Sequence, residues 1–319
     1  MNLDFNMEVK IKGRYKIRKL VEGEVIYESD WFENLITNAG LDMIGGLHGV
    51  PTTTPLATFC YVGTGTTTPS VTDTTLTTYL AETNSVSSGT QSFVSGSPSY
   101  YTNTFTYTFA TGTATGILSE VGVGFTTNTV GPVYTLFSHA LIVTAGNVPT
   151  TITVLSNESL QVLYQLQLYN NVTTNTYSVV IAGVTYSGSY LGADFGNRGA
   201  GSNAYTVFSS MNVTGVLPLF AVYNGTIGVV TALPTGSSDS MFNNRVSGSV
   251  TSGTYTSGTY TQSYTVTFGT AFGNLAGGIT AISIDFAIGC YQFSVSPAIP
   301  KDSNHILTMT FSISWASGI

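Results

Sequence analysis

The stretch Met7-Glu8-Val9-Lys10-Ile11-Lys12-Gly13-Arg14-Tyr15-Lys16-Ile17-Arg18 decides the fold class. Its apolar residues stand at odd positions (Met7, Val9, Ile11, Tyr15, Ile17) and its charges at even ones. Successive side chains of a strand point to opposite faces, so a period of two means a strand with one dry and one wet face. Glu22-Gly23-Glu24 then reads as a tight turn, with Gly23 supplying a positive φ, and Val25–Trp31 as the returning strand. Centring this hairpin on Gly23 places Arg18 opposite Glu28 and Lys16 opposite Asp30. Opposite charges facing each other across strands contribute about 0.2–1 kcal/mol per pair. The basic row is therefore expected to be neutralised within its own hairpin, ahead of docking to a neighbouring subunit and well ahead of binding nucleic acid. Lys10, Lys12, Arg14, Lys16 and Arg18, with Glu28, Asp30 and Trp31, are the candidate assembly or attachment residues.

Working outward, Glu33–Ile44 carries Leu35, Ile36, Ala39, Met43 and Ile44 at helical spacing, and Gly45-Gly46 supplies a stop; this predicts one short helix. Beyond Leu47 no helical period remains. Alternating runs such as Tyr101–Phe109, Leu160–Leu168, Tyr260–Phe268 and Leu307–Trp315, separated by Gly, Pro, Asn, Ser and Thr, predict antiparallel sheet. These runs also repeat. Tyr101, Phe105, Tyr107 and Phe109 match Tyr260, Tyr264, Val266 and Phe268, and Leu160, Val162, Tyr164, Leu166 and Leu168 match Leu307, Met309, Phe311, Ile313 and Trp315. The expected architecture is all-β: two tandem antiparallel β-sandwiches, jelly-roll or Ig-like, related by an internal repeat, with one short N-terminal helix. The expected division is 1–46 as a charged hairpin and helix packing on the first sandwich, 47–170 as the first sandwich and 171–319 as the second, with a linker or crossing strand near Asn170–Thr176. Gly215–Pro234 is uncharged and apolar, but Pro218, Asn224, Gly225 and Gly228 interrupt it, so it reads as two short strands and a turn with no membrane insertion.

Of 319 residues only 8% are Asp, Glu, Lys or Arg, against roughly 25% in an average soluble domain. Six of the nine basic residues and seven of the sixteen acidic ones precede Asn34. That excludes a broad nucleic-acid-binding surface, a coiled coil and a long solvated helix. With 42% hydrophobic residues, generic disorder is excluded too. Met1–Phe5 is polar and acidic and does not read as a secretory signal.

Chemistry is sparse. Gly63-Thr64-Gly65 lacks the Lys of a phosphate loop and the third glycine of a dinucleotide site, and Asp73 reads as a turn or cap in a Thr-rich loop. The acids after Asn34 are scattered singly, with no Asp-x-Asp, and His48, His139 and His305 are isolated; paired carboxylates or a poised His would be needed for acid–base work. Glu120 and Asp285, each shortly after Gly-Ile, read as equivalent strand positions of the repeat that resist edge aggregation. Cys60 and Cys290 lie in separate apolar runs and read as two buried thiols, with a disulfide between them as the alternative that sequence alone leaves open. No metal or cofactor is expected, and no enzyme activity. Between the repeats lie loops rich in Gly and Ser (Gly188–Asn203, Gly236–Ser240, Ser247–Gly258), and Tyr186, Tyr190 and Tyr255, among Gly, Ser and Thr, are the candidate ligand-facing loop aromatics, able to stack on a sugar or line a subunit interface.

Two segments carry a resemblance. Asn34-Leu35-Ile36-Thr37-Asn38-Ala39-Gly40-Leu41-Asp42, preceded by the charged hairpin, and Val62-Gly63-Thr64-Gly65 leading through Pro69 to Asp73-Thr74-Thr75-Leu76, together resemble virion structural proteins of tailed bacteriophages, among which tail, tail-fibre and collar components are usual. The resemblance covers the first half of the chain. It implies a structural protein of the virion, assembled in the host bacterial cytoplasm, whose partners are other virion proteins and copies of itself. A receptor- or carbohydrate-binding fibre, with a host-surface glycan as partner, and a capsid decoration protein are the alternatives it leaves open.

Overall fold

The structure, a computed structural model, describes residues 7–46, 57–94, 98–125, 135–193, 218–240, 250–286 and 288–318. It is all-β with one short helix. Strands β1 (Met7–Val21), β2 (Glu24–Glu28), β3 (Phe32–Glu33) and β4 (Leu35–Ile36) lead into α1 (Asn38–Gly46). There follow β5 (Phe59–Gly63), β6 (Tyr79–Thr83), β7 (Val86–Val94), β8 (Tyr100–Phe109), β9 (Gly116–Leu118), β10 (Glu120–Gly124), β11 (Leu136–Leu141), β12 (Ile152–Val154) and β13 (Ser159–Asn170). The hairpin β14 (Asn175–Ile181) and β15 (Val184–Gly192) precedes β16 (Leu219–Tyr223), β17 (Ser238–Ser240), β18 (Val250–Ser252), β19 (Thr261–Phe268), β20 (Ile279–Phe286), β21 (Gly289–Ile299) and β22 (Leu307–Ser317).

The alternation of β1 is realised in full: Met7, Val9, Ile11, Tyr15 and Ile17 are completely buried, and Glu22-Gly23, both at positive φ, close the hairpin. Unexpectedly, β1 lies at the centre of a nine-stranded sheet ordered β18-β19-β22-β1-β13-β8-β7, with β2 and β3 also paired to it. It runs antiparallel to β13 from Val9 to Leu20 and parallel to β22 from Met7 to Ile11. Strands from before and after residue 170 thus share one sheet. A five-stranded sheet (β4-β11-β10-β5-β6) and a six-stranded one (β14-β15-β21-β20-β16-β17) accompany it. Tyr15 of β1 reaches Ser138 of β11, their hydroxyl oxygens 2.6 Å apart. Tyr264 of β19 packs on Phe286 of β20, and Phe311 of β22 on Phe220 and Phe293. One apolar cluster, from Met7 to Trp315, runs through all three layers.

Four local expectations are corrected. The helix spans Asn38–Gly46, not Glu33–Ile44, because Phe32 pairs with Tyr15, Glu33 with Arg14, Leu35 with His139 and Ile36 with Ser138; strand partners outweigh the helical spacing. Thr37 is the cap, its hydroxyl oxygen accepting from the Gly40 amide at 2.9 Å. The stretch Gly215–Pro234 yields one described strand, β16, followed by turns, as its glycines interrupt any second ladder; residues 215–217 lie outside the described residues. The linker is shorter than predicted: β13 runs to Asn170 and β14 starts at Asn175. Glu120 and Asp285 are not equivalent, since Glu120 opens its strand opposite Gly63 and Asp285 nearly closes its strand opposite Leu219. Neither stands at an edge; both are fully buried on inner strands.

Among the described residues no disulfide is present, and Cys60 (β5) and Cys290 (β21) are buried thiols in different sheets. Among the same residues no helix is long and apolar enough to cross a membrane.

Candidate functional site

The wet face of β1 carries the basic row, and its two ends differ. At the turn end Glu28 accepts from Lys16 at 2.7 Å and from Arg18. These hydrogen bonds, first from Lys16 and then from Arg18, hold its carboxyl below the usual carboxylate range. Arg18 faces Glu28 as its register predicts. Lys16 does not meet Asp30: β2 ends at Glu28, the Ser29 amide still donates to the Ile17 carbonyl, and Asp30 turns out to solvent. The ring of Trp31 instead lies over both Arg14 and Lys16, 4.8 and 5.4 Å away, a cation–π arrangement. Arg14 also donates to Gln165 at 2.7 Å.

At the other end, among the described residues, no carboxylate forms an ion pair with Lys10 or Lys12. Lys12 lies 5.7 Å from the ring of Tyr169. Both lysines, with Glu8, Tyr169, Asn170 and Asn171, line a groove of about 400 Å³. Of the eight attachment candidates, six therefore cluster at the turn end (Arg14, Lys16, Arg18, Glu28, Trp31 and, beside them, Asp30), while Lys10 and Lys12 border this groove.

The loop aromatics are placed differently from the sequence expectation. Tyr186 and Tyr190 sit on β15, not in a loop. Tyr186 is buried, and Tyr190 stacks on Phe293 at 5.7 Å. Tyr255 does lie in a loop, the β18–β19 connection, but its ring stacks on Trp315 and its hydroxyl donates to Asp42 at 2.7 Å. Asp42 also accepts from Ser257 and the Gly258 amide. Burial raises its carboxyl, and these bonds outweigh burial and lower it. All three rings are thus engaged in packing within the chain. Residues 194–203 and 247–249 of the predicted loops lie outside the described residues.

Sequence reasoning missed one constellation. Asp73, Glu120 and His139, read as isolated, meet in space. His139 sits between the two carboxylates, Nδ1 2.8 Å from Asp73 Oδ2 and Nε2 3.0 Å from Glu120 Oε2. Glu120 further accepts the amides of Gly65 (2.9 Å), Thr77 (3.0 Å) and Thr78 (2.7 Å). Asp73 caps its own turn through the Ser70 amide, as expected. The whole segment from Gly63 to Thr78 is thereby fastened to β10 and β11. Gly65 must be glycine, because a Cβ there would collide with the Glu120 carboxylate. The amide that a phosphate loop would offer an anion is already given to a side chain.

Burial raises Glu120, yet the bonds from His139 and the three amides outweigh it and hold the carboxyl below its ordinary value. Burial lowers His139, yet its bonds to Glu120 and then Asp73 prevail and raise it. Glu120 is fully buried and His139 nearly so, while Asp73 closes the cluster on its half-buried side. The only sequence signal for it was Asp73 inside the motif; Glu120 and His139 stand dozens of residues further on. Among the described residues no group of three or more His, Cys, Asp and Glu is arranged to hold a metal ion.

Compared with family models, characterised proteins and solved structures, the chain matches none.

Proposed function

We propose that this chain is a non-enzymatic structural component of a bacteriophage virion, in the tail or neck (tail fibre, collar or tail tip), assembling as an oligomer. The observation that carries this is the use made of the two motif segments. Thr37–Asp42 anchors α1, with Gly40 packed on the Phe137 backbone, the Leu41 carbonyl accepting from Trp315 Nε1 at 2.9 Å, and Asp42 holding the β18–β19 loop. Gly63–Leu76 is the loop that Glu120 and His139 fasten. The first motif ties the nine-stranded sheet to the five-stranded one, the second braces the five-stranded sheet from within, and both are spent on internal packing, which suits a rigid building block. The finer fold reading is two tandem sandwiches of jelly-roll or Ig-like type sharing one large sheet. It is supported by matching pairings: β8 beside β13 and β19 beside β22, with β10-β5-β6 answered by β20-β16-β17.

The test is immunogold electron microscopy of intact particles from an infected host, with peptide mass spectrometry of the same particles. Labelling at the tail or neck is expected. Particles lacking the protein overturn the reading, and labelling spread over the head turns it into a capsid decoration protein. One observation favours a glycan-binding fibre as second reading: the groove where Lys10 and Lys12 stand without an ion-pair partner among the described residues, beside an aromatic ring, suits an acidic sugar. Binding to acidic glycans lost in a Lys10→Ala/Lys12→Ala variant would support it.

A further inference from the structure

A sheet edge exposes unpaired N–H and C=O groups, and proteins usually blunt it with short strands, charges or bulges. Most edges here follow that rule. β4, β17 and β18 are two or three residues long, as are β9 and β12. β2 has Glu at each end, and its pairing shifts at Lys19/Leu20. β6 carries Glu82 and a shift at Val62/Gly63, and β7 a shift between Ser88 and Gln91.

β14 is the exception. Asn175-Thr176-Tyr177-Ser178-Val179-Val180-Ile181 pairs all seven residues with β15 in unbroken register, and its other side pairs with no strand among the described residues. It carries no charge, Pro or Gly, and Val180 is 67% exposed. The two-residue turn Ala182-Gly183, both at positive φ, makes Ile181 and Val184 the closing hydrogen-bonded pair. Alternate residues back to Asn175 then bond inward to β15, leaving the N–H and C=O of Thr176, Ser178 and Val180 pointing outward.

We propose that β14 is a self-pairing edge, which joins antiparallel to β14 of a second copy about a two-fold axis through Ser178. In that register Thr176 faces Val180 of the second copy, Ser178 faces its counterpart, and all three outward residues exchange hydrogen bonds at once. On the inner face Tyr177 meets Val179 of the second copy, an aromatic–β-branched pair of the kind that stabilises sheets. Tyr177 is already fixed by its hydroxyl donating to the Ser294 carbonyl at 2.7 Å. Identical uncharged strands face no mutual repulsion, and a two-fold contact closes rather than growing into a fibre. The inference rests on the assembly reading above and names its surface.

The test uses the full chain. Wild type is expected to sediment as a dimer or a multiple of one at micromolar concentration. Ser178→Cys should form a disulfide-linked dimer on mild oxidation, since hydrogen-bonded partners stand about 5.5 Å apart at Cα; wild type should not, as Cys60 and Cys290 are buried. Ser178→Pro removes an outward amide that β15 does not use, a position where an edge tolerates Pro, and should weaken association at least about tenfold. Val180→Lys, at an exposed site, is the second variant if Ser178→Pro fails to fold by circular dichroism. An oligomer unaffected by these substitutions, or one in which the Ser178→Cys variant stays unlinked, overturns the edge and leaves the assembly reading standing. A wild type that stays monomeric overturns self-association altogether.

Discussion

Two hairpins of this molecule share a turn and little else. β1–β2 closes through Glu22-Gly23 with φ of 51° and 87°, and β14–β15 through Ala182-Gly183 with φ of 48° and 81°. The first carries most of the chain's cations on β1, which lies mid-sheet; the second carries no charge on its outer strand, which lies at an edge among the described residues. This inverts the usual placement, in which charge protects edges. Charge on β1 cannot be edge protection, because both its sides are paired. It keeps one face of a central strand wet while the other face is buried under the two smaller sheets.

If the hairpin charges were there for stability, they would behave like the buried ionic cluster, and this is the widest difference to test. Glu120→Ala strands His139 and three amides and is expected to lower unfolding free energy by about 3–5 kcal/mol, read by urea titration. The pH profile has a definite sign. Glu120, lowered on folding, contributes fully above its ordinary value of 4.5 and loses that contribution as pH falls. His139, raised on folding, contributes fully below 6.5 and loses its contribution as pH rises through its raised value. Both act together between those two values, where the wild-type melting temperature stands on a plateau, and Glu120→Ala should lower that plateau and flatten the falls on its acidic and alkaline sides.

The next contrast is burial. Ile11→Ala, on the dry face of β1, should destabilise by about 2–5 kcal/mol, whereas Val180→Ala on β14 should stay within about 0.5 kcal/mol. Equal losses would mean that β14 is covered within the monomer. The shared turn predicts equality instead. Gly23→Ala and Gly183→Ala meet open space and differ from glycine only in the strained φ, so each should cost about 1–2 kcal/mol, by thermal or urea melts. The smallest effect is Glu28→Gln, below about 1 kcal/mol for an exposed pair. It should be salt-dependent, and because Glu28 is lowered, its contribution is present above 4.5 and fades on acidification.

Much of this was legible. The period of two in Met7–Ile17 gave β1, its buried face and the Arg18–Glu28 pairing, because a strand's alternation and a two-residue turn are local geometry. The isolated reading of Asp73, Glu120 and His139 failed because they meet through strand pairing across dozens of residues, and no spacing rule spans that distance. Phe32–Ile36 kept a helical spacing that tertiary strand partners overruled. Tyr186, Tyr190 and Tyr255 resembled free loop rings because their Gly and Ser neighbours look like loop; Phe293, Trp315 and Asp42, against which Tyr190 and Tyr255 pack, are far away in sequence.

By itself, then, the sequence determined the all-β class, the two faces of β1 and the tight turn at Glu22-Gly23, since these depend on neighbours one to four residues apart. Only the tertiary structure decided that β1 is central, that three ionisable groups meet around a buried histidine and that β14 is an edge with no partner strand beyond it among the described residues. Those depend on which strands lie side by side, and pairing partners are chosen by burial over the whole chain rather than by local pattern.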